Sequence, residues 1–302
     1  MSTNPVGGDP ERPAFAPPVA PEPRLRQPVP AAPPPEPGAA PDRPWPWWSG
    51  FAALVAGWLS GQVLAGIAIT VGDPGGGSSS DTPIGVLVIA QLLFSLCLVG
   101  GALLFANAFG RLTPERFGLR GVAPGRAVLW VVGGLLASWI VASVWLTVVG
   151  ADSERDELTK RLTDDPSVAT VVGLGVLTVV VAPVVEEVVF RGFLFNALRS
   201  AINVPLAAIV SGLVFGVVHA AGSPWQFLLP LAAFGTILAL VYWRTGSLYT
   251  CIAMHAIWNC VSFGAARDWT WEILPLLAGS GAAIAAILLF AVRIGDRRPK
   301  AA

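Results

Sequence analysis

Glu186-Glu187-Val188-Val189-Phe190-Arg191 closes an apolar run, Val168 to Val185, that holds no charged residue. Ionisable groups at the end of, or inside, a membrane segment are costly and face a cavity, a partner or a pathway. Helical geometry separates the two acids. Glu187 and Arg191 are i,i+4 neighbours with the acid on the N-terminal side, the favoured order for an ion pair. Glu186 lies about 100° around the helix from Glu187. It shares a stripe with Phe190 and has no cation three or four residues on. The spacing therefore predicts one neutralised glutamate and one left for chemistry. The plain alternative is two glutamates at the end of a helix, in contact with lipid headgroups.

The rest of the chain supports a membrane setting for this stretch. Its 302 residues are 54% hydrophobic and 13% charged, with a mean hydropathy of +0.66. A soluble domain carries about 25% charged residues. Apolar runs long enough to span a bilayer, about 17–25 residues, fall near 49–71, 84–109, 127–149, 167–190, 204–221, 226–243, 247–264 and 272–294. The fold expected is all-α, a polytopic membrane bundle of about eight helices. The fifth and sixth spans are separated only by Ala221 to Trp225, a tight hairpin. No internal repeat is evident.

The organisation reads in four parts. Residues 1–44 form a Pro-rich tail, since 16 of the 27 prolines lie in the first 46 residues. Such a segment buries no core and is expected to be disordered. It lacks the apolar core of a signal peptide. PxxP spacing offers a partner something to read, although a plain cytoplasmic tail explains it as well. Residues 45–109 hold the first spans, introduced by Trp45, Trp47 and Trp48 as an interface belt. Residues 110–264 hold the motifs. Residues 265–302 hold the last span and a basic tail.

Charge alternates between the connections. Asp73 and Asp81 stand alone in 72–83, whereas 110–126 holds Arg111, Arg116, Arg120 and Arg126 against Glu115. The 150–166 connection is net acidic, and the C-terminal tail carries Arg293, Arg297, Arg298 and Lys300. The positive-inside rule then puts both termini in the cytoplasm of a multi-pass cell-membrane protein. Asp165 and Pro166 resemble the N-cap and first residue of the fourth helix. Net charge is zero and no basic surface suggests nucleic acid. Cys97, Cys251 and Cys260 lie in apolar runs without CxxC or metal-finger spacing and read as small packing residues.

Only two histidines occur, His219 and His255, and both fall inside spans. His255 and Asn259 are i,i+4 and share a helix face. A lone intramembrane histidine is usually a packing residue. Two of them, with an asparagine and an unpaired glutamate, point to one shared polar site, because such groups seek one another in lipid. No Ser or Cys sits beside a base in these motifs, and HExxH is absent. The chemistry suggested is water activated by Glu186 with help from a histidine, and His/Asn donors to the oxyanion of a tetrahedral intermediate. A zinc site of two His and one Glu is also chemically possible.

The ordered motifs EExxxR at 186–191, FxxxH at 215–219 and HxxxN at 255–259 resemble those of the CPBP family of intramembrane proteases, which includes the CAAX prenyl endopeptidases and Abi-type proteins. Lesser likenesses are Phe117-Gly118-Leu119-Arg120 and Thr245-Gly246-Ser247-Leu248. The resemblance covers roughly residues 110–264. It implies that Glu186 is catalytic, that His219 helps activate water, and that His255 and Asn259 serve the oxyanion. Glu187 and Arg191 fall on the family's structural pair, with Phe190 and Phe215 lining the site. The expected activity is cleavage of a membrane-associated peptide or protein, without a cofactor. Two alternatives stay open: a zinc peptidase using Glu186, His219 and His255, and a non-catalytic scaffold or bacteriocin-immunity protein. A carrier fits less well, because no paired broken helices mark the two halves.

Overall fold

The computed structural model describes residues 44–75, 82–150, 157–165 and 167–267, with positions 1, 278, 279 and 282. The Pro-rich tail, the span expected over 272–294 and the basic C-terminal tail lie almost wholly outside the described residues. Among these residues the chain is helical, with no strand. The helices are α1 (Ser49–Gly72), α2 (Ile84–Phe109), α3 (Pro124–Val149) and α4 (Glu157–Asp164), followed by α5 (Val168–Leu198), α6 (Val204–Ala221), α7 (Trp225–Thr245) and α8 (Leu248–Ala266). Six of them, α1–α3 and α5–α7, are long and apolar enough to cross a membrane. Helix α8 has spanning length but carries His255 and Asn259, and its buried face runs from Leu248 to Gly264. The protein is a multi-pass helical bundle.

Three expectations are corrected. The fourth span does not stop at residue 190. Helix α5 runs 31 residues to Leu198, because Glu187 neutralises Arg191 inside the helix and no breaker follows before Asn203-Val204-Pro205. Its N-cap is Ser167, whose hydroxyl accepts from the Thr170 amide (3.3 Å); Pro166 lies outside the described residues. Asp165 supports this start from one step earlier. It accepts from the Thr170 hydroxyl and from the Ser167 amide (3.2 Å), which together hold its carboxyl below the usual carboxylate range. Trp45 is a core residue, only 3% exposed. Its indole N–H donates to the Ala106 carbonyl (3.1 Å), and its ring meets Phe117, Phe193 and the Arg116 guanidinium. Trp47 and Trp48 remain exposed.

Small residues set the helix pairs. An added Cβ at Gly57 would lie 2.8 Å from the Cys97 carbonyl oxygen, and one at Gly216 would lie 2.6 Å from that of Leu228. The α1–α2 and α6–α7 pairs therefore approach at backbone distance, as membrane helices do where no solvent drives association. Aromatic side chains fill the centre. Phe193, Phe195, Phe215 and Phe234 are all at most 1% exposed.

Two prolines interrupt the helical hydrogen bonds. Pro230 inside α7 has no N–H for the Gln226 carbonyl four residues back. The Trp145 indole of α3 donates to that carbonyl instead (2.8 Å). Pro183 lies inside α5, just after a π-helical turn, Leu177–Val181; a second π-helical segment, Val188–Phe195, follows the glutamates. Wider turns of this kind recur at functional sites.

The two lesser sequence likenesses meet at one end of the bundle. The Leu248 amide donates to the Gly118 carbonyl (2.8 Å), and the Ser247 hydroxyl to the Arg120 carbonyl (2.7 Å). Arg120 in turn donates to the Gly246 carbonyl. Gly118 and Gly246 both have positive φ, 76° and 65°, a region that costs a side chain but not glycine. This clasp fixes where α8 begins and so the height of His255.

Candidate active site

Helix α5 delivers both glutamates and Arg191, α6 delivers His219 at its last turn, and α8 delivers His255. Glu187 and Arg191 are completely buried. Arg191 Nη1 donates to Glu187 Oε1 at 2.9 Å, and Nη2 to the Gly235 carbonyl of α7 at 2.8 Å. The guanidinium carbon lies 4.7 Å from the Phe215 ring centre and 5.7 Å from that of Phe190, within cation–π range.

Glu187 has a second partner. His255 Nδ1 lies 2.8 Å from the same Oε1. In this arrangement the Glu187 oxygen that already accepts from Arg191 accepts again, and Nδ1–H donates. The outer nitrogen of His255 then points the other way, toward Glu186 Oε2 at 3.8 Å. His219 repeats the arrangement. Its Nδ1 lies 2.6 Å from the Phe215 carbonyl, which can only accept, so Nδ1 carries a proton. Its Nε2 faces Glu186 Oε2 at 4.0 Å.

Glu186 is thus addressed by two imidazoles whose far nitrogens are both tied down. Its Oε2 is buried and makes no direct hydrogen bond among the described residues. The side chains of Glu186 and His219 keep 21% and 28% of their surface, against 0% for Glu187 and Arg191. One glutamate is sealed inside the bundle and the other is partly exposed. Phe190 and Phe215 form the apolar wall, edge to face at 5.1 Å, and Phe215 lies 4.7 Å from the His219 ring.

Asn259 sits one turn beyond His255, but its amide N–H donates to the Thr178 carbonyl of α5 at 2.8 Å. Unlike His219 and His255, it shows no hydrogen bond or ion pair toward Glu186 among the described residues. Sequence reasoning missed three contributors: the Gly235 carbonyl, Thr178, and Asn196, whose amide donates to the Gly192 carbonyl (3.0 Å) and the Tyr242 hydroxyl (2.9 Å). Backbone acceptors leave no mark in a sequence. Pro183 was the available signal for Thr178.

The donor set Glu186, His219 and His255 is of zinc type, and each histidine's second nitrogen is tied as a ligand's commonly is. The separations of 3.8 and 4.0 Å exceed the roughly 3.3 Å expected between donors around one tetrahedral zinc with bonds of about 2.0–2.1 Å. Among the described residues no ready metal-binding group of three His, Cys, Asp or Glu occurs.

Residues 168–261 match the family model described as Type II CAAX prenyl endopeptidase Rce1-like. Among curated proteins, the chain is 30% identical over 139 residues to "Putative membrane peptidase YdiL" of Bacillus subtilis (strain 168), covering 45% of this chain and 54% of that protein. It is also 33% identical over 88 residues to an "Uncharacterized protein" of Mycoplasma capricolum subsp. capricolum (strain California kid), covering 29% and 25%. The matched segments thus span about half of the first relative and a quarter of the second. No solved structure matches the chain significantly.

Proposed function

We propose, on the premise that these matches and the three motifs make this a CPBP-family protein, that the chain is an intramembrane endopeptidase in which Glu186 activates water. The observation that carries this reading is the convergence of two anchored imidazoles on Glu186 Oε2 at 3.8 and 4.0 Å. These gaps are too long for direct hydrogen bonds, but one oxygen atom at about 2.8 Å from each group fits between them. A water held there lies against the Glu186 carboxylate and the His219 Nε2 lone pair. Either group accepts its proton as it attacks a peptide carbonyl.

His255 takes the complementary role. Glu187 orients the ring through Nδ1, as the acid of a catalytic triad orients its histidine. When His255 is protonated, its outer N–H faces the oxyanion that develops on the attacked carbonyl. Arg191 balances Glu187, so the buried pair brings no net charge into the bilayer. The substrate class is a membrane-associated peptide or protein, and the Arg-rich 110–126 connection supports a threading with both termini in the cytoplasm.

The direct test compares the membrane-anchored peptides of cells carrying the wild-type chain with those of cells carrying Glu186→Ala. Peptides that disappear, with their uncut precursors accumulating, support the reading; identical peptidomes overturn it. The same three donors favour a second reading, a zinc peptidase. Chelation that abolishes activity, restored by zinc and matched by stoichiometric metal in the purified protein, would shift the assignment to that reading. Full activity after chelation would retain the first.

A further inference from the structure

We infer that Asn259 is a positioning residue: one N–H of its amide replaces the hydrogen-bond donor removed by Pro183 and so acts on Glu186 through the backbone of α5. This inference rests on the proposed role of Glu186.

The argument starts from the π-helical turn Leu177–Val181. In such a turn each carbonyl accepts from the amide five residues on. The Ala182 amide does this, donating to the Leu177 carbonyl. The next carbonyl, Thr178, would take its proton from residue 183. That residue is proline and has no N–H. The carbonyl lies in a membrane-spanning helix, where no bulk water answers it and every backbone group needs a partner from the protein. The Asn259 side-chain N–H supplies one, 2.8 Å away and 81 residues along the chain.

The same logic operates at the other interior proline. Pro230 deprives Gln226, and Trp145 of α3 donates to its carbonyl. In both places a proline opens a helix and a side chain from a neighbouring helix closes the account. At Pro183 the consequence is local to the chemistry, since Glu186 follows three residues later on the same helix. The wide turn and the missing bond leave this part of α5 free to shift. Asn259 fixes it against α8, the helix that also presents His255. Together with the Glu187–His255 contact, this bond sets the separation of Glu186 from His255.

The test is a double-mutant cycle on the full chain in detergent. Cleavage of a lipid-anchored fluorogenic reporter peptide and the melting temperature are both measured. Asn259→Ala should lower kcat about 100-fold with KM little changed, and lower the melting temperature. Pro183→Ala alone should be nearly neutral. In the double variant, the residue 183 amide can reach the Thr178 carbonyl, so at least a tenfold recovery of kcat and a smaller loss of melting temperature are expected. An oxyanion donor could not be replaced in this way: equal loss of kcat with proline or alanine at 183 overturns the inference, as does full activity of Asn259→Ala. If Asn259→Ala fails to accumulate, Asn259→Leu, which keeps the volume and has no donor, takes its place in the cycle. Glu186→Ala run in parallel separates the two proposals. Activity surviving in that variant sinks the Glu186 reading, whereas the melting-temperature coupling between residues 183 and 259 tests the carbonyl contact on its own.

Discussion

Glu186 and Glu187 are adjacent in sequence and opposite in circumstance. Glu187 shares one oxygen between Arg191 and His255 inside a buried cluster, while Glu186 has no direct hydrogen-bond partner among the described residues and is partly exposed. Removing Glu186 takes away a partly buried carboxylate that is paired with no Arg or Lys among the described residues. Glu186→Ala should therefore abolish cleavage while leaving accumulation and melting temperature at or above wild type. Breaking one side of the sealed pair leaves the other charge stranded, which costs about 3–5 kcal/mol. Glu187→Ala and Arg191→Ala should thus lower the melting temperature and the amount of protein, and Glu187→Ala should lose further activity because His255 loses its orienting partner. A well-folded, inactive Glu187→Ala beside an active Glu186→Ala would reverse the two roles. The i,i+4 spacing was enough to read the Glu187–Arg191 pair. It could not reveal that His255 joins Glu187 while its outer nitrogen faces Glu186, because that depends on which imidazole nitrogen another helix claims.

The elements place these residues through close approach. Gly216 packs on the Leu228 carbonyl, and His219 follows three residues later. Gly216→Ala would push α6 from α7 and should cost about 1–3 kcal/mol by overpacking. Because the displacement moves His219 relative to Glu186, cleavage should fall more than the melting temperature alone explains; a variant that melts earlier yet cleaves at the wild-type rate would separate the hairpin from the site. At the start of α5, Asp165 has a folded-state pKa below its ordinary value. A depressed carboxylate stabilises the helix start above that ordinary value, and the contribution is lost as pH falls through the lower folded value. Amide exchange at Ser167–Thr170 should accelerate only below about pH 4, and Asp165→Asn should remove that pH dependence. The helices themselves were legible from apolar runs. The end of α5 was not, since charge within an apolar run ordinarily marks a boundary, and here Arg191 is absorbed by its neighbour one turn back. The π-helical turns left no periodic signal at all.

At the scale of the molecule, alternating charge predicts the threading. The acid-bearing 72–83 connection and the Arg-rich 110–126 connection flank a single spanning helix, α2. Reporter fusions at Gly75 and Gly121 should therefore report opposite sides of the membrane, with Gly121 cytoplasmic. Reporters on the same side would rule out this threading and move the site relative to the cytoplasm. The ordered motifs made the bundle's centre readable across three distant segments, whereas the clasp between Gly118 and Leu248 had no meaning until both loops were seen to meet. The sealed pair also bears on how the chain is made. Glu187 meets Arg191 within a single helical turn, but its other partner, His255, is 68 residues further on. At a synthesis rate of about 5–20 residues per second, α5 spends on the order of several seconds without α8. During that interval Arg191 is the partner one turn away that balances the carboxylate as the helix leaves the ribosome and enters lipid. The arginine is then an internal chaperone for its own helix, and the site around Glu186 is completed only when the last of the three motifs arrives.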